Sequence, residues 1–278
     1  MPTIAMVPPK KINHESIWLM RRQANVFSQS GEDGILGAIF ETIGTRNKWC
    51  VEFGAWDGVH LSNTCNLIRN QGWSAVQIEG DTAKFPELVK NFEGNDKVRQ
   101  INRMVGFTEG VDCLDDILAT TPIPKDFDLL SIDIDGNDWH VWDSLNIYKP
   151  RVVVIEHNGS VPNDVIFIQD PDMSVNEGCS LAALIDLGKQ KGYEFCAVTT
   201  PNAFFVRRED FPLLKIPDNS IDALRRSPIG RIFSGYNRKI YHTMSRMGWG
   251  GGELPADCFQ KFPPEKQGFA GRVRRDKE

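Results

Sequence analysis

The sequence lacks the glycine-rich motifs that most often hold nucleotide phosphates. It contains no Gly-x-x-x-x-Gly-Lys-Ser/Thr loop and no Gly-x-Gly-x-x-Gly turn, which would bring a helix N-terminus against a pyrophosphate. It also lacks an apolar run of about 18 residues, the length that a membrane-spanning helix needs. We therefore expect neither a P-loop enzyme nor a membrane-spanning protein.

Little in the composition points to nucleic acid, to disulfides or to export. The net charge is -5 and the pI is near 5.6, so nucleic acid is not the expected partner. The six cysteines form no Cys-x-x-Cys pair and are typical of free thiols in a reducing compartment. The first residues lack the charged-then-apolar order of a signal peptide, so we expect a soluble cytoplasmic protein that does not bind membranes.

A glycine turn follows the first strong apolar segment. The run at 49–53 opens into Glu52-x-Gly54-x-x-x-Gly58, and a helix-start signal follows at 62–64. Glycine lets the backbone approach a ligand closely, as in the turn of a nucleotide-binding βαβ unit. The alternative is a purely structural turn with ordinary surface acids, since such turns join strands to helices in many α/β proteins.

An acid at the end of the next apolar segment narrows the choice of ligand. The segment at 74–79 ends in Glu79, whose carboxylate can accept hydrogen bonds from two ribose hydroxyls. Asp57 lies in the glycine turn, where it would repel a phosphate. The sequence therefore favours a nucleoside without a charged phosphate. S-adenosylmethionine, with its sulfonium and ammonium groups, suits such an acidic pocket and is the predicted cofactor.

Apolar segments alternate with helical periodicity along most of the chain. The predicted strands cover 49–54, 74–79, 97–102, 127–133 and 151–156, and the predicted helices between them cover 62–71, 84–93, 112–119 and 138–146. After a further helix, two strands at 193–199 and 202–206 are joined by a turn too short for a parallel crossover. The predicted fold class is α/β: a Rossmann-like, doubly wound sheet of the class I methyltransferase type, mostly parallel with an antiparallel C-terminal hairpin.

The chain is expected to have three parts. Residues 1–26 form an N-terminal extension with a helix near 14–26, residues 27–210 form the cofactor-binding domain, and residues 211–278 form a partly flexible C-terminal appendage. A helix is predicted to begin near Ser30, because Ser30 and Asp33 have the spacing of a capping box.

Over 27–207 the chain resembles the FkbM-type branch of S-adenosylmethionine-dependent methyltransferases. The resemblance rests on an ordered set of motifs: Ser28-Gln-x-Gly-Glu-Asp-Gly34, Val51-Glu-x-Gly-x-x-x-Gly58, Ser62-Asn-Thr64, Ile78-Glu79, Leu114-Asp-Asp116, Ile132-Asp-x-Asp-Gly-x-Asp138, Val154-Ile-Glu-x-Asn158 and Gly178-x-Ser180. It implies the class I fold and methyl transfer, usually to a sugar or another hydroxyl. Family members often carry Asp-x-Glu-Gly-x-Glu where this chain has Asp133-x-Asp135-Gly-x-Asp138, and the shorter acids leave room for a cation or water.

The glycine turn, the strand ends and this resemblance together give a predicted cofactor-binding set. Its members are Gln29, Glu32, Asp33, Glu52, Gly54, Gly58, Ser62, Asn63, Glu79 and Asp115.

Two neighbouring predicted strands end in acids, Asp133-Ile-Asp135 and Glu156-His-Asn158. Because the carboxyl ends of strands line the ligand crevice of a doubly wound sheet, these groups should meet beside the cofactor. Like charges that converge raise each other's pKa unless a cation relieves them. The arrangement resembles the magnesium site of catechol-type and macrolide sugar O-methyltransferases, so we predict Mg²⁺ bound by Asp133, Asp135, Glu156 and Asn158. Alternatively, Asp135 only hydrogen-bonds its loop.

Asp133 and His157 are the candidate catalytic bases. A histidine titrates near neutral pH and could take the proton of an acceptor hydroxyl, although a lone histidine in a loop is more often an ordinary hydrogen-bonding residue. Asp138 is either part of the acidic site or an acid of a helix's first turn. Trp56, Trp139 and Trp142 are expected to be mainly core residues, although one of them could stack on adenine or shape the acceptor pocket.

Two other classes of function stay open. Asp133-Ile-Asp135 is an Asp-x-Asp that could hold a divalent ion on a nucleotide sugar, as in a glycosyltransferase. The chain could also bind a cofactor or a partner without catalysis, with the C-terminal appendage as an element of acceptor capture or self-association into a homo-oligomer. The leading prediction is methyl transfer to a small-molecule or carbohydrate acceptor.

Overall fold

The computed structural model describes residues 13–225, 232–234, 236 and 240–242. The larger of two compact units, Val7–Ser227, contains a seven-stranded sheet. Its strands are β1 (Trp49–Phe53), β2 (Ser74–Glu79), β3 (Val98–Asn102), β4 (Leu129–Ile132), β5 (Val152–Glu156), β6 (Tyr193–Val198) and β7 (Asn202–Arg207). Its helices are α1 (Glu32–Ile43), α2 (Cys65–Gln71), α3 (Phe85–Asn91), α4 (Leu114–Leu118), α5 (Asp138–Ser144), α6 (Leu181–Lys191) and α7 (Ile221–Leu224).

The strand order is β3-β2-β1-β4-β5-β7-β6, and only β7 runs antiparallel to its neighbours. This is the class I methyltransferase fold, so the predicted fold class is confirmed. The central strands are buried along nearly their whole length, which explains their continuous apolar sequence. Crossover helices connect the parallel strands, whereas β6 and β7 form the predicted hairpin.

The register of the sheet brings the functional ends of three strands to one level. Phe53 of β1 pairs with Ile132 of β4, and Ile132 pairs with Ile155 of β5. Gly54, Asp133 and Glu156 each follow one of these three residues. The turn after β1 and the acids after β4 and β5 therefore leave the sheet side by side at its carboxyl edge.

The helix predicted over 14–26 is wrong. The segment consists of turns with one 3₁₀ turn at Leu19–Arg22, in which the Arg21 N–H donates to the Trp18 carbonyl at 3.2 Å. The Trp18 indole N–H also donates to the carbonyl of Leu214 at 2.9 Å. This hydrogen bond ties the segment to a distant part of the chain, and the backbone there forms a 3₁₀ turn, which is wound more tightly than an α-helix.

The predicted capping box between Ser30 and Asp33 is wrong, because the residue that pairs with Asp33 is not Ser30. Helix α1 begins after Gly31, which adopts a left-handed conformation at φ 98°. Glycine has no side chain, so the N-cap residue cannot cap the helix with a side-chain hydrogen bond. The Asp33 N–H instead donates to Ser28 Oγ at 3.1 Å. Asp33 Oδ2 in turn accepts the N–H groups of 26–28 at 2.8–2.9 Å. The reciprocal pair is therefore Ser28 with Asp33.

Buried ion pairs of one arginine lie at the other end of the parallel strands, where β1, β4 and β5 begin. Arg151, just before β5, contacts the carboxylate of Asp128 at 3.1 Å and that of Asp210 at 3.1 Å. Asp128 also accepts the N–H groups of 46–48, just before β1. The Asp128 carboxylate thus links the residues that precede strands β1, β4 and β5.

The second unit combines Met1–Met6 with Pro228–Glu278. Within it, strands β8 (Ile232–Ser234) and β9 (Ile240–His242) pair antiparallel. The predicted break at 248–252 and the Arg-rich end lie outside the described residues. The three-part division of the chain stays a prediction.

None of the helices in the described part of the chain is long and apolar enough to cross a membrane. Five of the six cysteines are buried free thiols, and Cys258 lies outside the described residues.

Candidate active site at the carboxyl edge of the sheet

Glu52 holds the loop between β1 and α2. It is buried, and its carboxylate accepts the hydroxyls of Ser62 at 2.5 Å and Thr64 at 2.7 Å and the N–H of Asn63 at 2.7 Å. Burial raises the pKa of Glu52, while these donors lower it. Asn63 Nδ2 reaches Ser131 Oγ of β4 at 3.1 Å. Three predicted cofactor residues, Glu52, Ser62 and Asn63, therefore form the frame of the turn.

The two glycines of the turn are required by the protein's own packing. A Cβ on Gly54, at φ 68°, would lie 1.9 Å from the backbone oxygen of Asp133. A Cβ on Gly58, at φ 72°, would lie 2.5 Å from Phe92 Cε2 and 2.6 Å from Leu88 Cδ1. The glycine spacing thus lets β1 approach β4 on one side and α3 on the other.

Glu79 at the end of β2 keeps part of its carboxylate available. Its Oε2 accepts the N–H of Trp56 at 2.7 Å and its Oε1 accepts the N–H of Asp81 at 2.7 Å. A carboxylate has about four lone-pair sites, so about two remain. The Trp56 side chain is 43% exposed, and Lys84 Nζ lies 4.8 Å from the centre of its ring. An acid and a partly exposed aromatic ring therefore lie next to the glycine turn.

The acids after β4 and β5 converge. Carboxylate oxygens of Asp133, Asp135 and Glu156 lie within 4.8 Å of one another. Burial, and then the neighbouring acids, raise the pKa of Asp133 to about 8 and that of Glu156 to about 9. We call these three residues the acid cluster. All its donors are oxygens, which are the ligands of hard divalent cations.

Asp138 serves the loop between β4 and α5. Its Oδ1 accepts the N–H of Ile134 and its Oδ2 that of Gly136, both at 2.9 Å. These bonds hold Asp135 in a left-handed conformation at φ 57°, which an L-residue adopts only when its surroundings enforce it. Asp138, at the start of α5, thus fixes the loop that carries Asp135 of the acid cluster.

Two predicted residues are engaged elsewhere. Asn158 accepts the N–H and hydroxyl of Ser160 at 3.0 and 2.6 Å, and its amide group donates to the Glu177 carbonyl at 2.8 Å. Asp115 accepts the N–H groups of 146–148 in the segment between α5 and β5. Their contacts give both residues a role in holding loops.

His157 has none of the acids as a hydrogen-bond partner. The ring is buried, and neither nitrogen has a side-chain hydrogen-bond partner among the residues that the structure describes. Burial, followed by the charge of Arg225, lowers its pKa to about 4. Arg225 itself donates to the carbonyl of Val161 at 3.1 Å and to Asn163 Oδ1 at 3.2 Å. The histidine is therefore neutral at physiological pH and a weak base.

The start of α1 reaches the same edge of the sheet from the N-terminal side. Glu32 is fully buried, and its Oε1 accepts the Thr199 hydroxyl at 2.7 Å and the Asn202 amide at 3.3 Å. The Glu32 charge contributes to the raised pKa of Asp133. Gln29 is only partly buried, in the loop before α1.

Thr199 and Asn202 were missed from the sequence. The sequence predicts the hairpin turn, but it does not give the register of β7 against β5. That register places Asn202 directly opposite Glu156.

Protein-family models and curated proteins give no match to this chain. Among solved structures, the N-terminal domain of EvdMO1 with SAH bound is 17% identical, over 65% of this chain and 81% of that one, with a TM-score of 0.41. An O-methyltransferase, NcsB1, in complex with SAH and 1,4-dihydroxy-2-naphthoic acid is 12% identical, over 62% of this chain and 52% of that one, with a TM-score of 0.38. A SAM-dependent methyltransferase from Aquifex aeolicus is 9% identical, over 68% and 96%, with a TM-score of 0.40. Similarities this low do not carry a function across.

Proposed function

We propose that this protein is an S-adenosylmethionine-dependent methyltransferase of the FkbM type. It would methylate a hydroxyl group of a small-molecule or sugar-like acceptor, with Mg²⁺ at the acid cluster. The observation that carries the proposal is the convergence of Asp133, Asp135 and Glu156 beside the Gly54 turn, at the carboxyl edge of a class I sheet. In open α/β sheets this edge is where ligands bind.

The residues around the glycine turn fit the cofactor. Glu79 has acceptor capacity left for two ribose hydroxyls after binding the N–H groups of Trp56 and Asp81. The exposed Trp56 ring offers an apolar surface for adenine. Glu52 supports this arrangement indirectly, because it fixes the loop that carries the turn. When bound, S-adenosylmethionine supplies an electrophilic methyl group on its sulfonium.

The acid cluster fits a hard divalent cation. Three carboxylates confined within 4.8 Å repel one another unless protons or a cation neutralise them. A cation held there would lower the pKa of an acceptor hydroxyl. Asp133 is the better candidate for the proton acceptor, because its carboxylate belongs to the acid cluster, whereas burial lowers the pKa of His157 to about 4. The chain's own contribution is thus to orient the hydroxyl and take up its proton at a carboxylate oxygen of Asp133.

The test combines cofactor binding with turnover. Calorimetry with S-adenosylmethionine in a strong chelator should show binding to the metal-depleted full chain. Formation of S-adenosylhomocysteine with a panel of sugars and phenols should then require Mg²⁺ or Mn²⁺. Absence of cofactor binding would rule out the methyltransferase. Full turnover in chelator would rule out the cation and leave Asp133 as a direct base.

The same experiment separates the other classes of function. A glycosyltransferase would bind a nucleotide sugar in the presence of Mn²⁺ and would show no affinity for S-adenosylmethionine. A cofactor-binding protein without catalysis would bind S-adenosylmethionine and form no S-adenosylhomocysteine with any acceptor.

A further inference from the structure

A buried amide lies next to the acid cluster on the neighbouring strand. Asn202 of β7 is directly opposite Glu156 of β5 in an antiparallel pairing. The next pair along, His157 and Pro201, is hydrogen-bonded, since the His157 N–H donates to the Pro201 carbonyl at 2.8 Å. Hydrogen-bonded and non-bonded pairs alternate in an antiparallel ladder, so Glu156 and Asn202 form a non-bonded pair. Such pairs bring side chains on the same face closest, with Cα atoms about 4.5 Å apart.

The contacts of Asn202 fix which end of its amide is free. Glu32 Oε1 can only accept at this position, so the Nδ2 group of Asn202 faces Glu32, at 3.3 Å. The Oδ1 atom then lies on the other side of the amide. It is buried, and it has no hydrogen-bond donor among the described residues. A buried amide oxygen without a partner is energetically unfavourable, because it loses its hydrogen bonds to water and gains none.

An amide oxygen without a donor beside carboxylates is an unfavourable arrangement that a cation would relieve. Asn202 is only 1% exposed, and Glu32, which binds its Nδ2, also acts electrostatically on Asp133. Asn202 thus contacts Glu32 through Nδ2 and is the register partner of Glu156, a member of the acid cluster. We propose that Oδ1 of Asn202 is a further ligand of the divalent cation held by Asp133, Asp135 and Glu156. This inference rests on the cation of the proposed function.

Asn202 takes the place that the sequence assigned to Asn158. The Asn158 oxygen already accepts two hydrogen bonds from Ser160, and its amide donates to Glu177. Asn202 Oδ1 has no such bonds within the described residues, and its strand is paired with the strand that carries Glu156. Three carboxylates and one amide oxygen make an all-oxygen set suited to Mg²⁺ or Mn²⁺.

The test uses Mn²⁺ as the probe, with the full chain and no acceptor present. Mn²⁺ binding is measured by electron paramagnetic resonance for the wild type, Asn202→Asp, Asn202→Leu and Asn158→Ala. Thr199→Val is a control for the surroundings of Asn202, because it removes the hydroxyl that binds Glu32 and the Asn202 backbone N–H but keeps the Asn202 side chain. Melting temperatures identify any variant that fails to fold, and calorimetry measures S-adenosylmethionine binding in each.

Asn202→Asp should bind Mn²⁺ at least as tightly as the wild type, because it keeps the oxygen ligand. Asn202→Leu should bind it about tenfold more weakly or worse, with S-adenosylmethionine binding unchanged. Thr199→Val and Asn158→Ala should stay close to the wild type. Equal Mn²⁺ affinity in folded Asn202→Leu, or a loss in Asn158→Ala alone, would overturn the assignment. A wild type that binds S-adenosylmethionine but no Mn²⁺ would also overturn it, while leaving methyl transfer intact.

Discussion

The backbone oxygen of Asp133 occupies the space that a side chain on Gly54 would need. A Cβ there would lie 1.9 Å from that oxygen. The end of β1 and the first acid after β4 are therefore in direct contact, which couples the position of the glycine turn to that of the acid cluster. A substitution at Gly54 should therefore change the stability of the fold, whether or not a ligand binds at the turn.

Gly54→Ala should destabilise the domain more than its left-handed backbone alone explains. Alanine at a positive φ costs about 1–2 kcal/mol, and the collision with Asp133 should add about 1–3 kcal/mol. Gly94→Ala is the matched control, since Gly94 has φ 76° and a Cβ added there would meet no atom within 4 Å. Urea unfolding measures both. Equal losses in the two variants would mean that β1 and β4 are not in contact there.

Glu79→Ala should weaken S-adenosylmethionine binding by about 1.5–3 kcal/mol, because it removes a charged acceptor from the ribose hydroxyls. Asp57→Ala is the control: Asp57 Oδ1 likewise accepts two backbone N–H groups in the same turn, those of Val59 and His60. Calorimetry should show a loss for Glu79→Ala alone. A similar loss in both variants would mean that Glu79 acts by holding the loop.

Asp135→Ala should weaken Mn²⁺ binding about tenfold or more while leaving the melting temperature nearly unchanged, since Asp135 is exposed. Asp186→Ala, at an exposed acid of α6, removes the same charge elsewhere and should leave Mn²⁺ binding unaffected. Electron paramagnetic resonance gives both affinities. Unchanged binding in Asp135→Ala would exclude this residue from the cation site.

Asp128→Asn should destabilise the fold by about 3–5 kcal/mol, because it leaves the buried Arg151 without one of its two carboxylates. Asp126→Asn offers a close comparison: the Arg46–Asp126 pair is about half exposed at 49% and 47%, so its loss should cost about 0–1 kcal/mol. Chemical unfolding of the two variants should separate them clearly. Similar values would contradict the buried position of the Arg151 pair.

Stability should fall as the pH rises from about 10 to about 12. Burial raises the pKa of Tyr193 in the folded state to about 12, against about 10 in the unfolded chain. The unfolded chain loses this proton first, so alkali favours unfolding, by about 2–3 kcal/mol over that range. Tyr193→Phe should remove this part of the pH dependence. An unchanged difference between pH 10 and pH 12 in that variant would assign the effect to other groups.

Periodicity in the sequence was enough to predict the sheet. The β4 and β5 runs are continuously apolar because helices cover both faces, and the short turn before Asn202 allows only an antiparallel pair. The segment at 14–26 has helical periodicity too, but the Trp18 bond to the Leu214 carbonyl overrides it. A contact between parts of the chain about 200 positions apart leaves no local pattern.

The acid cluster was predictable for the same reason as the sheet. Acids that end neighbouring parallel strands must meet at one edge, and Asp133, Asp135 and Glu156 do. The orientation of a loop side chain is a different matter. The sequence does not show that the Ser160 hydroxyl donates to the Asn158 side-chain oxygen. It also does not show that the Asp115 carboxylate accepts N–H groups of the segment 146–148. Asn202 could be recognised only from the register of β7 against β5.

The position of β7 also determines when the site can form during folding. Glu32 and Asn202 are 170 positions apart in the chain, yet their side chains are in contact. Closing so long a loop is entropically costly, and non-local strand pairing is slow. Strand β6 lies at the edge of the seven-stranded sheet and is joined to β5 through β7, so the β6–β7 hairpin docks on β5 by its second strand. A nascent chain that ends before β7 therefore carries all three carboxylates of the cluster without the strand that pairs with β5, and we expect this edge of the sheet to be among the last parts to assemble.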